Sequence, residues 1–367
     1  MNTLKSQSQA LVSPHDALMR RDSLEATLTR RLPDWLAHLI GFFLTWLTGL
    51  APSATKGNPV ILGSEARSFA VTAFSLLLGS TVILCDAFWP VMVIGLVALL
   101  HGMRSFSSVV GHHMTHGAKV LPVTQATRRL VYDVISAAFL WTRFDAYRKE
   151  HQQHHAYAAG PNDADQQFIS YLAARFDGLL PFLRTLLDPL FHYRFVKARL
   201  AAVFMAGPVW RRIFGLISML VWWTLAPAAW FVIVIVLFQS ATLLQWSTEH
   251  LWGRRPMGQS AAETATAVTY GRLLLPVSGF WWKLPAYTLF RLTLLSGDLP
   301  NHDLHHLGKG PWVDAAYTRT RLILEGQIVL RQTGGLRSMF ELAFDSAKGG
   351  PEARPPREME GERMLGM

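Results

Sequence analysis

Three short histidine clusters constrain this sequence more than any other feature. They are HHMTH at residues 112–116 (the first cluster), HQQHH at 151–155 (the second cluster) and HDLHH at 302–306 (the third cluster). Because an α-helix repeats every 3.6 residues, side chains three or four residues apart lie on one face. If each cluster is helical, its histidines can point toward a common centre. The fold must then bring three distant parts of the chain together.

The spacing within each cluster selects candidate metal ligands. In the first cluster His112 and His116 are four residues apart, whereas His113 is turned about 100° from His112 and is a doubtful ligand. The second and third clusters share the pattern His-x-x-His-His, which places three histidines on one side of a helix. Another histidine, His250, follows a long apolar run. The candidate ligands are His112, His116, His151, His154, His155, His250, His302, His305 and His306.

The number of candidate ligands is too large for one metal ion. A tetrahedral zinc site takes about four ligands, so the count indicates two metals. Imidazole binds Fe, Zn, Cu and Ni, so the ligand type does not select the metal. The chain has one cysteine, Cys85, outside the clusters, which excludes an iron–sulfur cluster held by the usual thiolates.

The clusters resemble the HxxxH, HxxHH and HxxHH boxes of the membrane fatty acid desaturase and hydroxylase superfamily. As in that family, a short interval separates the first two and a long one precedes the third. His250 begins the stretch HLWGRRP, which is similar to the segment that carries an extra ligand histidine in desaturases of the stearoyl-CoA type. The resemblance covers residues 69–320.

This resemblance implies two iron ions that use O2 and two electrons to remove hydrogen from unactivated CH2 groups. The diiron centre would itself be the catalytic group of an O2-dependent desaturase, which introduces a double bond into a fatty acyl chain carried by a lipid or a thioester. Electrons would come from a separate ferredoxin or cytochrome b5 with its reductase, since the chain has no nucleotide-binding fingerprint or cytochrome b5 signature. No nucleic acid partner is expected.

Two acidic residues after the second cluster are candidate partners of the ligands. Metal-bound histidines usually donate their second ring N–H to a carboxylate or a carbonyl. Asp163 and Asp165 lie where members of the resembled family often have an Asp motif. Glu249, beside His250, is a weaker candidate, and Asp303 points away from the ligands on a helix.

Other functions stay open. Some members of the superfamily act on small amphipathic metabolites, including a desaturase that forms the enol ether of rhizobitoxine, and others are hydroxylases. The segment GDLPN before the third cluster differs from that of animal acyl-CoA desaturases. A zinc-dependent membrane hydrolase could also use these histidines. A metal transporter would need polar ligands near the bilayer midplane, where the predicted spans have almost none.

The composition predicts an all-α integral membrane protein. Half of the 367 residues are hydrophobic and 16% are charged, which is a smaller charged fraction than soluble domains have. Arginine and lysine flank two pairs of apolar runs, so the positive-inside rule predicts two hairpins that start and finish in the cytosol. The predicted transmembrane helices are residues 69–85, 88–104, 213–226 and 228–246.

Four crossings place every cluster on one side, in a cytosolic helical cap. We therefore expect a multi-pass protein of the bacterial inner membrane, with its active site in the cytosol and a lipid or acyl substrate. The net charge of +10 suits anionic headgroups or an acidic electron donor. Residues 35–51 are expected to be interfacial or re-entrant, and residues 273–297 to be interfacial rather than to cross.

Three regions are predicted along the chain. Residues 1–34 form a polar N-terminal cytosolic segment that has no signal-peptide core and contains a helix capped by Ser13. Residues 35–345 form the membrane domain. Residues 346–367, which are rich in proline, glycine and charge, form a disordered tail.

Overall fold

The computed structural model describes most of the chain and is mostly helical there. The described residues are 11–55, 64–85, 88–117, 123–160, 162–188, 193–205, 207–252, 269–274, 280–307, 315–327 and 332–348. The stretch HLWGRRP continues beyond them after Trp252.

The helices follow the apolar and amphipathic patterns of the sequence. The first half of the chain forms α1 (Pro14–Thr29), α2 (Asp34–Thr48), α3 (Ser64–Leu84), α4 (Trp89–Ser105), α5 (His112–Thr115), α6 (Gln125–Ala138), α7 (Phe144–Tyr157), α8 (Ala164–Ala173), α9 (Leu179–Leu186) and α10 (Tyr193–Phe204). The second half forms α11 (Val209–Leu225), α12 (Pro227–Trp230), α13 (Phe238–Ser247), α14 (Phe280–Thr293), α15 (His302–His306), α16 (Ala315–Leu324) and α17 (Leu336–Lys348). Two π-helical segments, Phe106–Gly111 and Phe231–Leu237, join α4 to α5 and α12 to α13.

Within the part of the chain that the structure describes, three helical runs are long and apolar enough to cross a membrane. They are Ala66–Leu84, Trp89–Thr115 and Pro227–Ser247, and they match three of the four predicted spans to within one residue at each missed end. The other predicted span, 213–226, overlaps α11, whose 17 residues are fewer than the roughly 20 that cross a hydrocarbon core. The mostly helical architecture with apolar spanning helices is confirmed, whereas the four-span topology stays a prediction.

The first two of these runs pack closely because glycines face the partner helix. A Cβ placed on Gly79 would lie 2.4 Å from the backbone nitrogen of Leu99, and one on Gly102 would lie 2.8 Å from the backbone nitrogen of Leu76. Small residues let helices approach in this way in membranes. α3 and α4 therefore run antiparallel in direct backbone contact.

The main core lies where these helices meet α6, α7, α11 and α13. Its buried members include Leu99, Tyr132, Phe144, Trp222 and Phe238. Phe106 stacks on Tyr132 with ring centroids 4.8 Å apart, so the π-segment beyond α4 is anchored to α6. This core fixes the direction in which the first cluster leaves the membrane helices.

The N-terminal helix α1 is packed against α2 through a buried arginine. Arg21 is fully buried and donates to Glu25 and to the carbonyl oxygens of Leu50 (3.1 Å) and Gly41 (3.2 Å). The helix begins at the predicted Pro14, and Ser13 occupies the predicted cap position. Its carbonyl oxygen accepts the backbone N–H of Ala17 at 2.9 Å, although its side chain makes no capping hydrogen bond.

A small sheet corrects the all-α prediction. β1 (Leu11–Val12) pairs antiparallel with β3 (Gln332–Gly334), which also pairs in parallel with β2 (Gly271–Leu273). Strands this short, contributed by three distant segments, have no period that sequence reasoning could detect. The predicted start of the tail at residue 346 is also wrong, because α17 continues to Lys348 and buries Ser346 and Ala347. Residues 349–367 lie outside the described residues.

Replacing Gly79 by valine should destabilise the protein. The new side chain would collide with the backbone of Leu99, which cannot rotate away, and overpacking of this kind typically costs about 1–3 kcal/mol. We expect a lower unfolding temperature in detergent, measured by circular dichroism. Ala70→Val, on the exposed side of α3, is the matched control and should change little. Equal unfolding temperatures for the two variants would contradict the close helix packing.

Candidate metal centre

The three clusters are helical, as the spacing predicts, and each leaves a different part of the fold. The first cluster ends the continuous helical run Trp89–Thr115. The second cluster lies in the last turns of α7, and the third cluster forms α15 after the 3-10 turn Leu299–Asn301. His250 follows α13 by one turn and forms a β-bridge with Thr269.

The π-segment below the first cluster sets the direction of its histidines. The residues from Phe106 to Gly111 widen the helix, with the hydroxyls of Ser107 and Ser108 bonding back to the carbonyl oxygen of Arg104. π-helical turns insert a residue into a helix and commonly occur at functional sites. The helical run that begins at Trp89 continues through Gly111 to Thr115.

Five histidines from all three clusters form one compact group, which we call the five-histidine group. Successive Nε2 atoms are 3.1 Å apart from His112 to His305, 2.9 Å from His305 to His155, 2.9 Å from His155 to His151 and 2.8 Å from His151 to His116. One ring nitrogen of each residue lies within 4.8 Å of those of all the others.

The remaining four candidate ligands form a second group, the four-histidine group, beside the first. The Nε2 atoms of His154 and His250 are 2.9 Å apart, and those of His302 and His306 are 3.1 Å apart. Nitrogens of His154, His250 and His306 also lie within 4.8 Å of one another. The structure thus brings together all nine residues selected from the sequence, in two groups.

The spacing of these nitrogens fits metal binding. With metal–nitrogen bonds of about 2.1 Å, two ligands at a right angle are about 3.0 Å apart and two tetrahedral ligands about 3.4 Å apart. The six Nε2 pairs are separated by 2.8–3.1 Å. Lone pairs of neutral rings repel at such distances unless a proton or a cation lies between them. The donor set therefore suits two metal ions, each of which would be held by several imidazoles.

Most of the rings are held in the neutral form that binds metals. Burial, and then the neighbouring histidines, lower the pKa of His155 to about 3, and burial lowers the pKa of His116 to about 4. The same causes lower the pKa of His151, His250, His302, His305 and His306. A deprotonated imidazole is the ligand form.

His154 behaves differently because a carboxylate holds its other nitrogen. Burial opposes charge on this ring, but Asp163 raises its pKa to about 9. Its Nδ1 lies 3.1 Å from Oδ2 of Asp163, which also accepts the backbone N–H of Ala159 at 2.9 Å. Asp163 thus leaves Nε2 of His154 facing His250. Asp165 is farther away, at 3.8 Å, and donates its backbone N–H to Asp163.

Two acidic residues near the histidines were missed or underrated by the sequence reasoning. His113, the doubtful ligand, lies outside both groups, with its Nε2 3.4 Å from Oδ2 of Asp298. Asp298 belongs to the segment GDLPN. The difference between this segment and that of animal acyl-CoA desaturases is a sequence signal that could have pointed to Asp298. The Glu249 carboxylate lies within 4.8 Å of ring nitrogens of His250 and His302. Asp303 pairs with Arg319, away from the ligands as expected.

Four buried arginines hold the segment that delivers the third cluster. Each donates to it from a different element: Arg104 to the Thr293 carbonyl oxygen (3.2 Å), Arg291 to that of Gly297 (2.7 Å), Arg272 to that of Leu299 (2.7 Å), and Arg319 to the side chains of Asn301 and Asp303. All four are at most 2% exposed. Because α15 has only five residues, such contacts replace the rigidity of a longer helix.

Acid should unfold the metal-free protein. His155 and His116 have folded-state pKa values of about 3 and 4, below the ordinary 6.5. The unfolded chain therefore binds more protons as the pH falls below about 6.5, and stability is lost toward about pH 4. His154 has the opposite sign, because its contribution is present below about pH 6.5 and disappears as the pH rises through about 9.

Unfolding temperatures of the metal-free protein across this range would test both signs. We expect a fall between about pH 7 and pH 5 in the wild type, and also in Asp163→Asn. Asp163→Asn should lack the additional loss of stability on the alkaline side. A profile that rises on acidification would contradict neutral histidines in the folded state.

Arg272→Met should empty the four-histidine group selectively. Arg272 joins the hydroxyl of Thr248 (3.1 Å) to the carbonyl oxygen of Leu299, and these residues precede His250 and His302 in the chain. Losing a group that orients ligands typically weakens metal binding about 10–100-fold. We expect about half of the wild-type metal content by atomic emission spectroscopy. Arg337→Met, which removes an exposed arginine paired with Glu341, should keep full metal. Equal metal in both variants would contradict this role.

Comparison with known proteins agrees with the geometry. The family model described as fatty acid desaturase matches residues 87–307, a stretch that includes all nine histidines of the two groups. No curated protein and no solved structure matches the chain.

Proposed function

Because the chain belongs to the fatty acid desaturase family, we propose that it is an O2-dependent membrane desaturase with a diiron centre. The observation that carries this proposal is the convergence of nine histidines into two adjacent groups. Histidine pairs occur in many proteins without binding metal, but two adjacent groups of five and four histidines form a donor set for two metal ions.

The ligands of the two irons would divide as the groups do. His112, His116, His151, His155 and His305 would hold one iron, and His154, His250, His302 and His306 the other. Five imidazoles exceed the four ligands of tetrahedral zinc, which supports iron. When bound, the irons would supply the activation of O2 that removal of hydrogen from an unactivated C–H bond requires.

The chain's own residues would limit the access of water to part of this centre and would hold its protons. His112, His154, His250 and His302 are at least nine-tenths buried, so bulk water has little access to these rings, whereas His116 is exposed to solvent. Asp163 would hold the proton on Nδ1 of His154 and leave Nε2 for the metal. The contact between His113 and Asp298 would fix the first cluster against the segment that leads into the third.

Desaturation is the reaction that we propose at this centre. A CH2–CH2 unit, O2, two electrons and two protons would give a CH=CH unit and two molecules of water. The electrons would come from a separate ferredoxin or cytochrome b5 with its reductase, and the basic net charge of +10 would favour an acidic donor. A fatty acyl chain is the substrate that the family suggests, and hydroxylation is the alternative outcome.

The proposed location is the bacterial inner membrane, with four crossings and the histidine groups in the cytosol. Beside the three apolar runs, α11 supports this topology through its outward face, where Ile213, Ile217 and Trp223 are more than half exposed. Large exposed apolar side chains of this kind are typical of a surface that contacts lipid.

Replacing His305 by alanine should abolish activity and reduce the iron content. His305 contacts both His112 and His155 in the five-histidine group, so its loss would open that group. We expect the purified wild type to hold two irons per chain, and cells producing it to form an O2-dependent product lighter by two hydrogens. The product would be sought by mass spectrometry of lipids and small metabolites.

The matched control is His38→Ala. His38 is an exposed histidine that contacts the carbonyl oxygen of Asp34 within α2, far along the chain from the clusters. This variant should keep its iron and its product. One zinc per chain with hydrolytic activity would refute the desaturase and favour a membrane hydrolase, and a product heavier by one oxygen would indicate hydroxylation.

A further inference from the structure

One face of α13 and the turn after it is polar although it is buried. Gln239, Thr242, Gln245 and Glu249 follow one another at intervals of three, three and four residues, which places them in one sector of a helix. We call this set the polar face. All four are at most 6% exposed, and the first three belong to the membrane-spanning run Pro227–Ser247. Polar side chains at such depth are costly and usually functional.

An arginine of α4 lies against the polar face without satisfying it. Arg104 donates Nη1 to the hydroxyl of Thr242 at 2.9 Å and Nε to the carbonyl oxygen of Thr293 at 3.2 Å. Its Nη2 has no hydrogen-bond partner among the described residues, and neither do Oε1 of Gln239 and Oε1 of Gln245. Buried polar atoms in folded proteins nearly always have a partner, and these three atoms are available to hydrogen-bond a ligand.

The polar face leads directly to the four-histidine group. Gln245 donates Nε2 to the carboxylate of Glu249, and that carboxylate lies within 4.8 Å of ring nitrogens of His250 and His302. A molecule placed along Gln239, Thr242 and Gln245 would therefore have one end beside the proposed irons.

The charges around the polar face leave a positive excess. Two buried guanidinium groups, Arg104 and Arg272, interact electrostatically with the carboxylate of Glu249. Arg272 also interacts with Asp303, but that carboxylate is already paired with a third guanidinium, Arg319. Both arginines donate only to hydroxyl and carbonyl oxygens among the described residues. A buried charge without a counter-charge is strongly unfavourable, so an anion is the expected ligand.

We propose that the polar face binds the substrate and that the substrate is a small polar anion rather than the acyl chain of a membrane lipid. An anionic group would accept from Nη2 of Arg104, and hydroxyl or amide N–H groups would donate to Gln239 and Gln245. A hydrocarbon chain would leave these atoms unpaired. The inference rests on the proposed function, because the bound molecule would present its CH2–CH2 unit to the diiron centre.

Comparing the metabolites of cells that produce the wild type or His305→Ala separates this inference from the function itself. New ions lighter by two hydrogens in the polar, anionic fraction, with unchanged lipid acyl chains, are the expected result. The same mass change confined to lipid acyl chains would overturn the polar substrate and leave the desaturase standing. No such change in either fraction, from cells whose enzyme holds two irons, would remove both.

A binding measurement tests the polar face without turnover. We expect 6-hydroxyhexanoate, whose carboxylate would accept from Arg104 and whose hydroxyl would donate to Gln239 or Gln245, to raise the unfolding temperature of the iron-loaded protein. The uncharged 1,6-hexanediol and hexanoate, which lacks the hydroxyl, should have smaller effects. Gln239→Leu and Gln245→Leu should keep their iron and bind 6-hydroxyhexanoate at least tenfold more weakly. Ser247→Ala is the control, because among the described residues its buried hydroxyl bonds only the carbonyl oxygen of Leu244. Wild-type affinity for 6-hydroxyhexanoate in both polar-face variants would overturn the inference, as would equal responses to the three probes.

Discussion

Nine imidazole rings with nitrogens about 3 Å from their neighbours form an arrangement that a protein cannot easily hold by itself. Protonating them would place positive charges side by side in a buried site, and leaving them neutral makes their lone pairs face one another. The pKa values of His155 and His305 are low because protonation is unfavourable here, first through burial and then through the neighbouring histidines. Cations would relieve both penalties, so we interpret the rest of the fold as a frame that keeps these rings near each other for the proposed metals.

The three clusters differ in the length of the helix that holds each of them. The first cluster inherits rigidity from a helical run of 27 residues that is long and apolar enough to cross a membrane, and the second cluster lies near the end of a helix of 14 residues. The third cluster occupies a helix of five residues and depends on side chains from elsewhere. Arginine suits this task because its fork of donors can bond several carbonyl oxygens at once and its charge tolerates burial better than that of lysine.

Local spacing is sufficient to predict much of the candidate site. The intervals between His112 and His116 and within the other clusters follow the helical repeat, so the amino-acid sequence alone selects these residues. His250 required a family resemblance, since one histidine has no periodicity. Asp298, Arg272 and the polar face were not predicted, because their roles come from contacts between segments far apart in the chain. The three-stranded sheet was not predicted for the same reason. The burial of Ser346 depends on tertiary packing, which cannot be inferred from the composition of the segment.

The sheet also has a consequence for biosynthesis. Its central strand, β3, lies between β1 and β2 although it comes from residues 332–334, and Arg319, which grips Asn301 and Asp303, lies only slightly earlier. A nascent chain that has emerged through the third cluster would still lack both supports. Insertion of the proposed metals would therefore be a late maturation event that follows the addition of Arg319 and β3 to the fold, and iron would enter a largely assembled domain.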